Sequence, residues 1–477
     1  MIAAFLLNAL LAAGALAAPV TGHARRGNIT LLTLGDGAAE VGWISESSFR
    51  FTRCWEPVCM SREPVKTPVG VKFSSTPKAL TWETRYLRLR LDRSTLTLRA
   101  ELVSDGALLF SQQPVVRAAP AGLAAAVEMQ PHERIYGLAA YGLSAEGKLD
   151  VRGERLATAT PFFISSRGYG VYYAMPGIYG VDAGATKPEL LQVRNGQARQ
   201  WEQFVYYGPT PKEILEEHHI IAPPMPAPKM DDLRLGKPVY ARDIPGVRGL
   251  AVSAMSGVLA PAIKQVLAWS EYMSGPRWEP YLYTYLCEAR DRGIPVVRPL
   301  VMQFTSDEAA AAVTGTFMIG DEVLVAARER TYLPPGVWTD LATGATHRGR
   351  QWITVETPPR RFARNGTILP QQAPGLMELH YFPRLGAEFF LSEPDSDGIT
   401  QVHAAPAGGL LRLEIESLAA RSYEWVVHNV SAPRQATAIG APEPVPNYDA
   451  ARRELRIKVD APAGANVIVN VDLADPL

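Results

Sequence analysis

The residues in this sequence that could do chemistry are carboxylates and aromatic rings, and several of them gather in its middle third. Glu271 lies mid-helix beside Trp269 and Tyr272. That group reads either as the edge of a sugar-binding surface or as the wet border of an amphipathic helix. With Trp278 close by, Trp269 and Glu271 form the candidate set of sugar contacts. Asp231 and Asp232 are adjacent carboxylates whose repulsion could raise one pKa, but neighbours in extended chain point apart and stay solvated, so they read first as linker charge. Asp243 stands just before Pro245-Gly246; from its surroundings alone it is a helix N-cap or a partner of Arg242 or Arg248. His218 and His219 have no Asp, Glu or Cys at ligand spacing, so a helix-end role, imidazolium against the C-terminal dipole, is expected of them.

Cys54 and Cys59 fall in Thr-Arg-Cys-Trp-Glu-Pro-Val-Cys. They could staple a hairpin in an oxidising compartment; the alternative is two unpaired thiols in a loop, and two lone sulfurs fall short of the four ligands zinc takes. Cys287, inside an apolar helical stretch, reads as a small buried hydrophobe. No Gly-rich phosphate loop and no Gly-x-Ser-x-Gly elbow is present in the sequence. Neither a metal nor a cofactor is expected.

These residues sit in a mainly β, multidomain framework. From about Asn28 to Tyr207, short alternating segments such as Leu87-Arg-Leu-Arg-Leu91 are punctuated by Gly, Pro, Asp and Ser, the pattern of a large antiparallel domain. Thr210-Pro-Lys-Glu213 supplies an N-cap, a first-turn proline and an answering glutamate, so a helix closes that domain. Ala222 to Pro228 is proline-rich and reads as a linker. Two helices follow, Pro261 to Ser274 and Pro280 to Arg292, each opened by proline and closed by glycine. Ile294 to Phe304 then reads as an apolar extended segment, the helix-then-strand order of one α/β unit. From Phe317 the β pattern resumes, giving two further small sandwiches that divide near Pro374.

The expected boundaries are therefore 1–18 for a leader, 24–222 for the N-terminal β-sandwich, 223–312 for an α/β remnant, 313–374 for a proximal sandwich and 375–477 for a distal one. The leader is the apolar run Ile2 to Ala18, which ends in small residues before Pro19 and implies a secreted or periplasmic protein. No later run reaches the length a membrane span needs. Lys plus Arg and Asp plus Glu are both 48, with no long run of one sign, so neither nucleic acid nor an anionic membrane is an expected partner.

Several stretches resemble glycoside hydrolase family 31, the α-glucosidases and α-xylosidases, in the family's order. They are Glu133-Arg-Ile-Tyr-Gly137, Pro161-Phe-Phe-Ile-Ser-Ser-Arg-Gly-Tyr-Gly-Val171, Phe204-Val-Tyr-Tyr-Gly-Pro-Thr-Pro-Lys-Glu213, Trp278-Glu-Pro-Tyr-Leu-Tyr-Thr-Tyr-Leu, Gly293-Ile-Pro-Val-Val-Arg-Pro-Leu300, Phe317-Met-Ile-Gly-Asp-Glu-Val-Leu-Val-Ala, Tyr332-Leu-Pro-Pro-Gly-Val-Trp-Thr-Asp340 and Phe362-Ala-Arg-Asn-Gly-Thr-Ile-Leu-Pro370. The resemblance implies a galactose mutarotase-like N-terminal sandwich, a (β/α)8 barrel, two C-terminal sandwiches, O-glycosyl hydrolysis and a carbohydrate ligand.

The departures are as informative. A barrel takes about 200 residues or more, and only about 90 separate the linker from Phe317, so the barrel is truncated to its late segments. Retaining hydrolysis needs two carboxyl groups about 5 to 5.5 Å apart. The family's nucleophile lies in a Trp-x-Asp-Met-Asn-Glu type stretch, which is absent from this sequence. Its late-barrel His is replaced by Tyr272-Met-Ser-Gly-Pro-Arg277. By position, the resemblance carries over one residue, Asp243, as acid/base. The expectation is a family 31-like protein that binds α-linked sugars with lost or residual hydrolysis. Two alternatives stand beside it: an interaction protein whose open remnant is completed by a partner or a second copy of the chain, as in a homo-oligomer, and an active hydrolase with a relocated nucleophile.

Overall fold

The computed structural model describes residues 18–60, 67–118, 121–138, 149–158, 161–222, 228, 230, 272–273, 275–394 and 396–476. Asp231, Asp232, Asp243, Trp269 and Glu271 lie outside them, as do the expected leader and nearly all of the helix expected from Pro261. The described residues fall into two compact units, one up to residue 222 and one from residue 228 onward.

The first unit is a sandwich of two antiparallel sheets. One runs Val20–Arg26, Ile29–Leu34, Gly37–Trp43, Ser48–Cys54, Trp201–Tyr207, Tyr169–Tyr173, Phe162–Ser165 and Ile135–Gly137 in spatial order. The other holds the strands between Lys72 and Glu128 together with Arg155–Thr158, Tyr179–Ala183 and Leu190–Asn195. Strict alternation explains the layering: Leu87, Leu89 and Leu91 are buried while Arg90 between them faces solvent. Both inner faces enter one core, where Val41, Phe49 and Phe51 of the first sheet meet Leu80, Trp82 and Leu89 of the second. Each fully buried leucine contributes about 1.5–3 kcal/mol of transfer free energy. Two polar links cross this core, from Trp82 Nε1 to Thr30 Oγ1 at 2.8 Å and from Gln203 Nε2 to Gln112 Oε1 at 2.7 Å.

Glu133 ties two of the recognised stretches together. Its carboxylate accepts from the Ser165 hydroxyl at 2.6 Å, the Tyr169 hydroxyl at 2.7 Å and the Gln130 amide at 2.7 Å. Helix α1 (Pro211–His219) starts as expected: Thr210 and Glu213 form a reciprocal capping box with Pro211 behind it. The helix comes close enough to the sheet that a Cβ on Gly170 would lie 2.5 Å from Ile214 Cγ2. His218 departs from its expected role. It is buried, its Nδ1 lies 2.9 Å from the Tyr206 hydroxyl, and its ring sits among Phe162, Tyr172 and Tyr206. A position on the inward face of the last helical turn makes it a core residue before it can be a dipole partner.

In the second unit, helix α2 (Glu279–Arg292) ends at Gly293, whose φ of 70° gives the left-handed turn expected of a closing glycine. The following extended stretch is shorter than the sequence suggests. Only Val297–Pro299 is a strand, and it pairs antiparallel with Thr316–Ile319. It therefore opens a six-stranded sheet, continued by Val323–Ala326, Arg360–Arg364, Val337–Asp340 and Thr346–Arg348, rather than standing as a parallel barrel strand. Both faces of this sheet are covered. Phe317, Ile319, Val323 and Val325 join the core that includes α2, while Met318, Leu324 and Phe362 pack with Tyr332, Leu333 and Trp338 on the other side. That double burial is why Phe317 to Ala326 is almost continuously apolar.

The two-stranded antiparallel sheet of Arg330–Leu333 and Gln351–Thr354 completes this first layer pair. The last two sheets are five-stranded and share the α2 core. One of them begins at Thr367–Ala373, which pairs with Leu376–Phe382 across Pro374-Gly375. The division expected near Pro374 is therefore a hairpin turn inside the distal sandwich. The chain passes from one sandwich to the next at Asn365-Gly366 instead, where Gly366 takes a φ of 85°.

Candidate functional site

Of the residues singled out in the sequence, Cys54 and Cys59 are joined as a disulfide with Cα atoms 5.5 Å apart. The bridge closes the loop after Ser48–Cys54, where Trp55 lies between the guanidiniums of Arg53 and Arg117, at 4.3 and 5.3 Å. Cys287 is a buried free thiol. Trp278 is not the expected sugar contact. It caps α2 from a short 3-10 turn, is buried in the core with Tyr281 and Leu282, and carries the Arg361 guanidinium 5.7 Å above its ring. Arg361 also donates to the Tyr272 carbonyl at 2.7 Å. Proline and aromatic residues at a helix start made Trp278 look available, but the same apolar surface is what docks the helix.

The two described carboxylates whose pKa values shift furthest, Glu322 and Glu378, sit in two separate side-chain networks. Glu322 is buried and its carboxyl is pushed up to about 7, first by burial and then by the neighbouring Asp321 charge. Such a value suits a general acid. Its surroundings do not. The Tyr285 hydroxyl donates to it at 2.5 Å, Tyr281 lies 2.9 Å away, and the Arg298 guanidinium bridges Asp321 and Glu288 alongside. The cage fastens α2 to the six-stranded sheet.

Glu378 is drawn down to about 2, first by its hydrogen bond with His380 and then by Arg456. His380 in turn lies 2.9 Å from His428, and Arg456 also reaches Glu424 and Glu454. A carboxyl held that low stays ionised and cannot serve as a proton donor near neutrality. His428 falls to about 3 because burial, and then His380, oppose its charge. Both networks are internal ties whose members satisfy one another.

The open site lies elsewhere in the second unit. A cleft of about 640 Å³ is lined by Ala312, Thr314, Ala327, Arg328, Glu329, Arg330, Trp352 and Pro358, within the size range of small-ligand sites. Trp352 is 48% exposed, an unusual state for so large a ring, and Arg330 lies 4.9 Å over it. The register of this strand pair places Tyr332 directly opposite Trp352, and their rings are 5.4 Å apart. Tyr332 is anchored through its hydroxyl to Asp307 at 2.8 Å, so the platform has a fixed base. Among the described residues, Arg328, Glu329 and Arg330 form no ion pair. The arrangement offers a flat apolar face, a carboxylate, a hydroxyl and two guanidiniums to one ligand. Sequence reading missed it. The signal is faint: one tryptophan in the polar strand Gln351–Thr354, and a charged triplet before an apolar strand. Only strand pairing brings the two together.

Among the described residues, no group of three or more His, Cys, Asp or Glu is arranged to hold a metal, and no helix is long and apolar enough to cross a membrane.

Residues 293–369 match the sequence profile of the Glycosyl hydrolase family 31 C-terminal domain, a span that includes every residue lining the cleft. The chain is 36% identical over 158 residues to Alpha-glucosidase 2 of Bacillus thermoamyloliquefaciens, a match covering 29% of this chain and 20% of that protein. It is 36% identical over 104 residues to a Probable glucan 1,3-alpha-glucosidase of Arabidopsis thaliana, covering 20% of this chain and 11% of that protein. The matches thus span a fifth or less of these relatives' own lengths. In fold, the chain is similar to a GH31 dextranase of Flavobacterium johnsoniae complexed with glucose, with a TM-score of 0.76 at 14% identity, over 96% of this chain and 100% of that one.

Proposed function

Because the chain is related to glycoside hydrolase family 31, we propose that it is a secreted carbohydrate-active protein that binds α-linked sugars at the Trp352 cleft, with hydrolysis lost or residual. The observation that carries this reading is the half-exposed Trp352 ring, set among the exposed side chains of Arg328, Glu329 and Arg330, which form no ion pair among the described residues, and inside the segment that matches the family. A sugar ring buries its C–H face on an indole and directs its hydroxyls to surrounding donors and acceptors; Thr314 and Glu329 line the same cleft and supply such groups.

The loss of hydrolysis is supported from the other direction. Retention requires a nucleophile and an acid/base at close range, and the sequence has no Trp-x-Asp-Met-Asn-Glu type stretch. Glu322 and Glu378, the described carboxylates with the largest shifts, are committed to internal networks. Asp243 remains the proposed acid/base of any residual turnover. The Cys54–Cys59 disulfide and the apolar run Ile2 to Ala18 support an oxidising, secreted or periplasmic location.

The test is calorimetric titration of the full chain with maltotriose, beside an assay on an aryl α-glucoside. The expected result is saturable binding without product release. Steady turnover that disappears in Asp243→Asn would replace the binding reading with an active hydrolase, and absence of binding to any α-linked oligosaccharide would end it.

A further inference from the structure

We infer that the Trp352 cleft prefers an acidic saccharide, a uronate-type residue within an α-linked glycan, with the indole as its floor and the Arg328 and Arg330 guanidiniums holding its carboxylate. This rests on the sugar-binding reading and names the ligand class of the same site.

The first argument is charge. The cleft wall carries two guanidiniums and one carboxylate, all exposed. Elsewhere in this unit several buried or half-buried arginines are neutralised, Arg298 by Asp321 and Glu288, Arg360 by Asp340, Arg421 by Glu393, Arg456 by Glu378, Glu424 and Glu454, while half-buried Arg361 and Arg364 lie over the Trp278 and Phe304 rings. Arg328 and Arg330 have no such acid among the described residues. They add a net positive field at the mouth of a cleft whose remaining lining is apolar or neutral.

The second argument is positioning. Arg330 is held over the Trp352 ring. Stacking uses the face of a guanidinium and leaves its in-plane N–H groups free, a planar fork matched to a carboxylate. Arg328 packs against a glycine. Gly315 takes a φ of 78°, and a Cβ there would lie 2.7 Å from both Cδ and Nε of Arg328. The missing side chain at Gly315 thus leaves room for Arg328 next to Thr314, itself a lining residue. Two cations therefore line one cleft with an aromatic platform, one of them stacked on it before the ligand arrives.

The third argument separates acidic from neutral sugars. A neutral ring gains the stacking and its hydroxyl contacts but leaves both guanidiniums solvated as before. A uronate gains in addition a charge-assisted, bidentate bond, a gain of about tenfold or more in affinity. Glu329 opposes a second negative group, which favours one acid per bound ring over a polyphosphate or a nucleic-acid backbone.

The experiment compares α-1,4-linked trigalacturonate with its methyl ester, the same rings and linkage without the charge, by calorimetry on the full chain. Wild type is expected to bind the acid at least about tenfold more tightly than the ester. The double variant Arg328→Gln/Arg330→Gln is expected to remove that preference, and Trp352→Ala to weaken both ligands at an unchanged melting temperature. Equal affinities for acid and ester, or a preference that survives the double variant, would overturn the assignment. If neither form binds, the assignment also falls, and maltotriose decides the broader reading: its binding preserves that reading and its failure ends both.

Discussion

Glu322 and Glu329 flank the same strand, Val323–Ala326, and could hardly be treated more differently. Glu322 is enclosed by Tyr281 and Tyr285, and Arg298 lies over the Tyr285 ring while it binds Asp321 and Glu288. Glu329 stands exposed in a cleft beside two arginines and a tryptophan with which it forms no ion pair. The residue types are the same in both places: carboxylate, arginine, large aromatic. What differs is whether the charges satisfy one another. A network that meets all its own needs stabilises the fold and has little to offer a ligand; a set of groups left open to water makes small contributions to stability and has its bonding capacity free. The pKa of about 7 at Glu322 would, taken alone, have marked the wrong site.

The largest effect that can break this contrast is expected at Arg298. Its guanidinium is fully buried, donates to the Asp321 and Glu288 carboxylates and to the Pro295 carbonyl at 2.8 Å, and lies 4.9 Å over the Tyr285 ring. Arg298→Ala takes the buried cation away from Asp321 and from one oxygen of Glu288, next to Glu322, while Glu288 keeps its pair with Arg292. Urea unfolding of the variant should show a loss of about 3–5 kcal/mol. A loss under about 1 kcal/mol would mean that the cage is not a structural tie.

Next comes the pH profile. The folded-state value of about 7 at Glu322 stands above its ordinary 4.5. Between those values the folded protein keeps a proton that the unfolded chain has released, so the Glu322 contribution to stability is greatest at low pH, falls as pH rises through the window, and levels off above it. His428, held neutral down to about 3 against its ordinary 6.5, contributes with the opposite slope below 6.5, so Glu322 is read from the difference between wild type and Glu322→Gln. A shift of that size corresponds to about 3 kcal/mol. Glu322→Gln carries no proton to lose. Its stability relative to wild type should rise across the same window, and above pH 7 it should exceed wild type by an amount approaching that figure. A difference between the two proteins that stays constant from pH 5 to 7 would contradict the assignment of Glu322 as a carboxyl held protonated by burial.

A smaller change sharpens the same point. Tyr285→Phe removes a donor at 2.5 Å from Glu322 and an acceptor for the Asp321 amide at 3.1 Å. The expected loss is about 1–3 kcal/mol above pH 7. Since that hydrogen bond holds the Glu322 pKa down against burial, the sloping part of the stability profile should also move to higher pH.

How much of this was legible in the sequence follows from which physics each feature obeys. Local rules held: the capping box at Thr210 and Glu213, the left-handed Gly293 and the alternation at Leu87 to Leu91 need only neighbours along the chain. Features that depend on pairing were misread. Ile294 to Phe304 looks like one long strand because its apolar run is continuous, yet Pro299 and the 3-10 turn at Leu300–Met302 end the pairing after three residues. Pro374-Gly375 looks like a boundary because turns within a sandwich and turns between sandwiches use the same residues. Trp278 and Trp352 show the limit most directly. Trp278 stands between Arg277 and Glu279 and Trp352 two residues after Arg350, and only packing decides that the first is buried under Arg361 while the second stands open.

The smallest stability effect belongs to the cleft. Trp352 has its ring half exposed, and its cross-strand partner Tyr332 keeps its own anchor to Asp307 when the indole is removed. Arg330 contributes a stacked cation at 4.9 Å but no ion pair. Arg330→Gln should therefore change stability by no more than about 0.5 kcal/mol, the ordinary range for a surface substitution, and thermal melting should superimpose on wild type. The value of this result lies in its pairing with Arg298→Ala. Both replace an arginine that lies over an aromatic ring within the same unit, so cation–π stacking alone predicts similar losses. Burial and charge neutralisation predict losses several-fold apart. If the two variants lose similar stability, the division between closed structural networks and an open binding surface does not hold, and the cleft must be read as part of the framework instead.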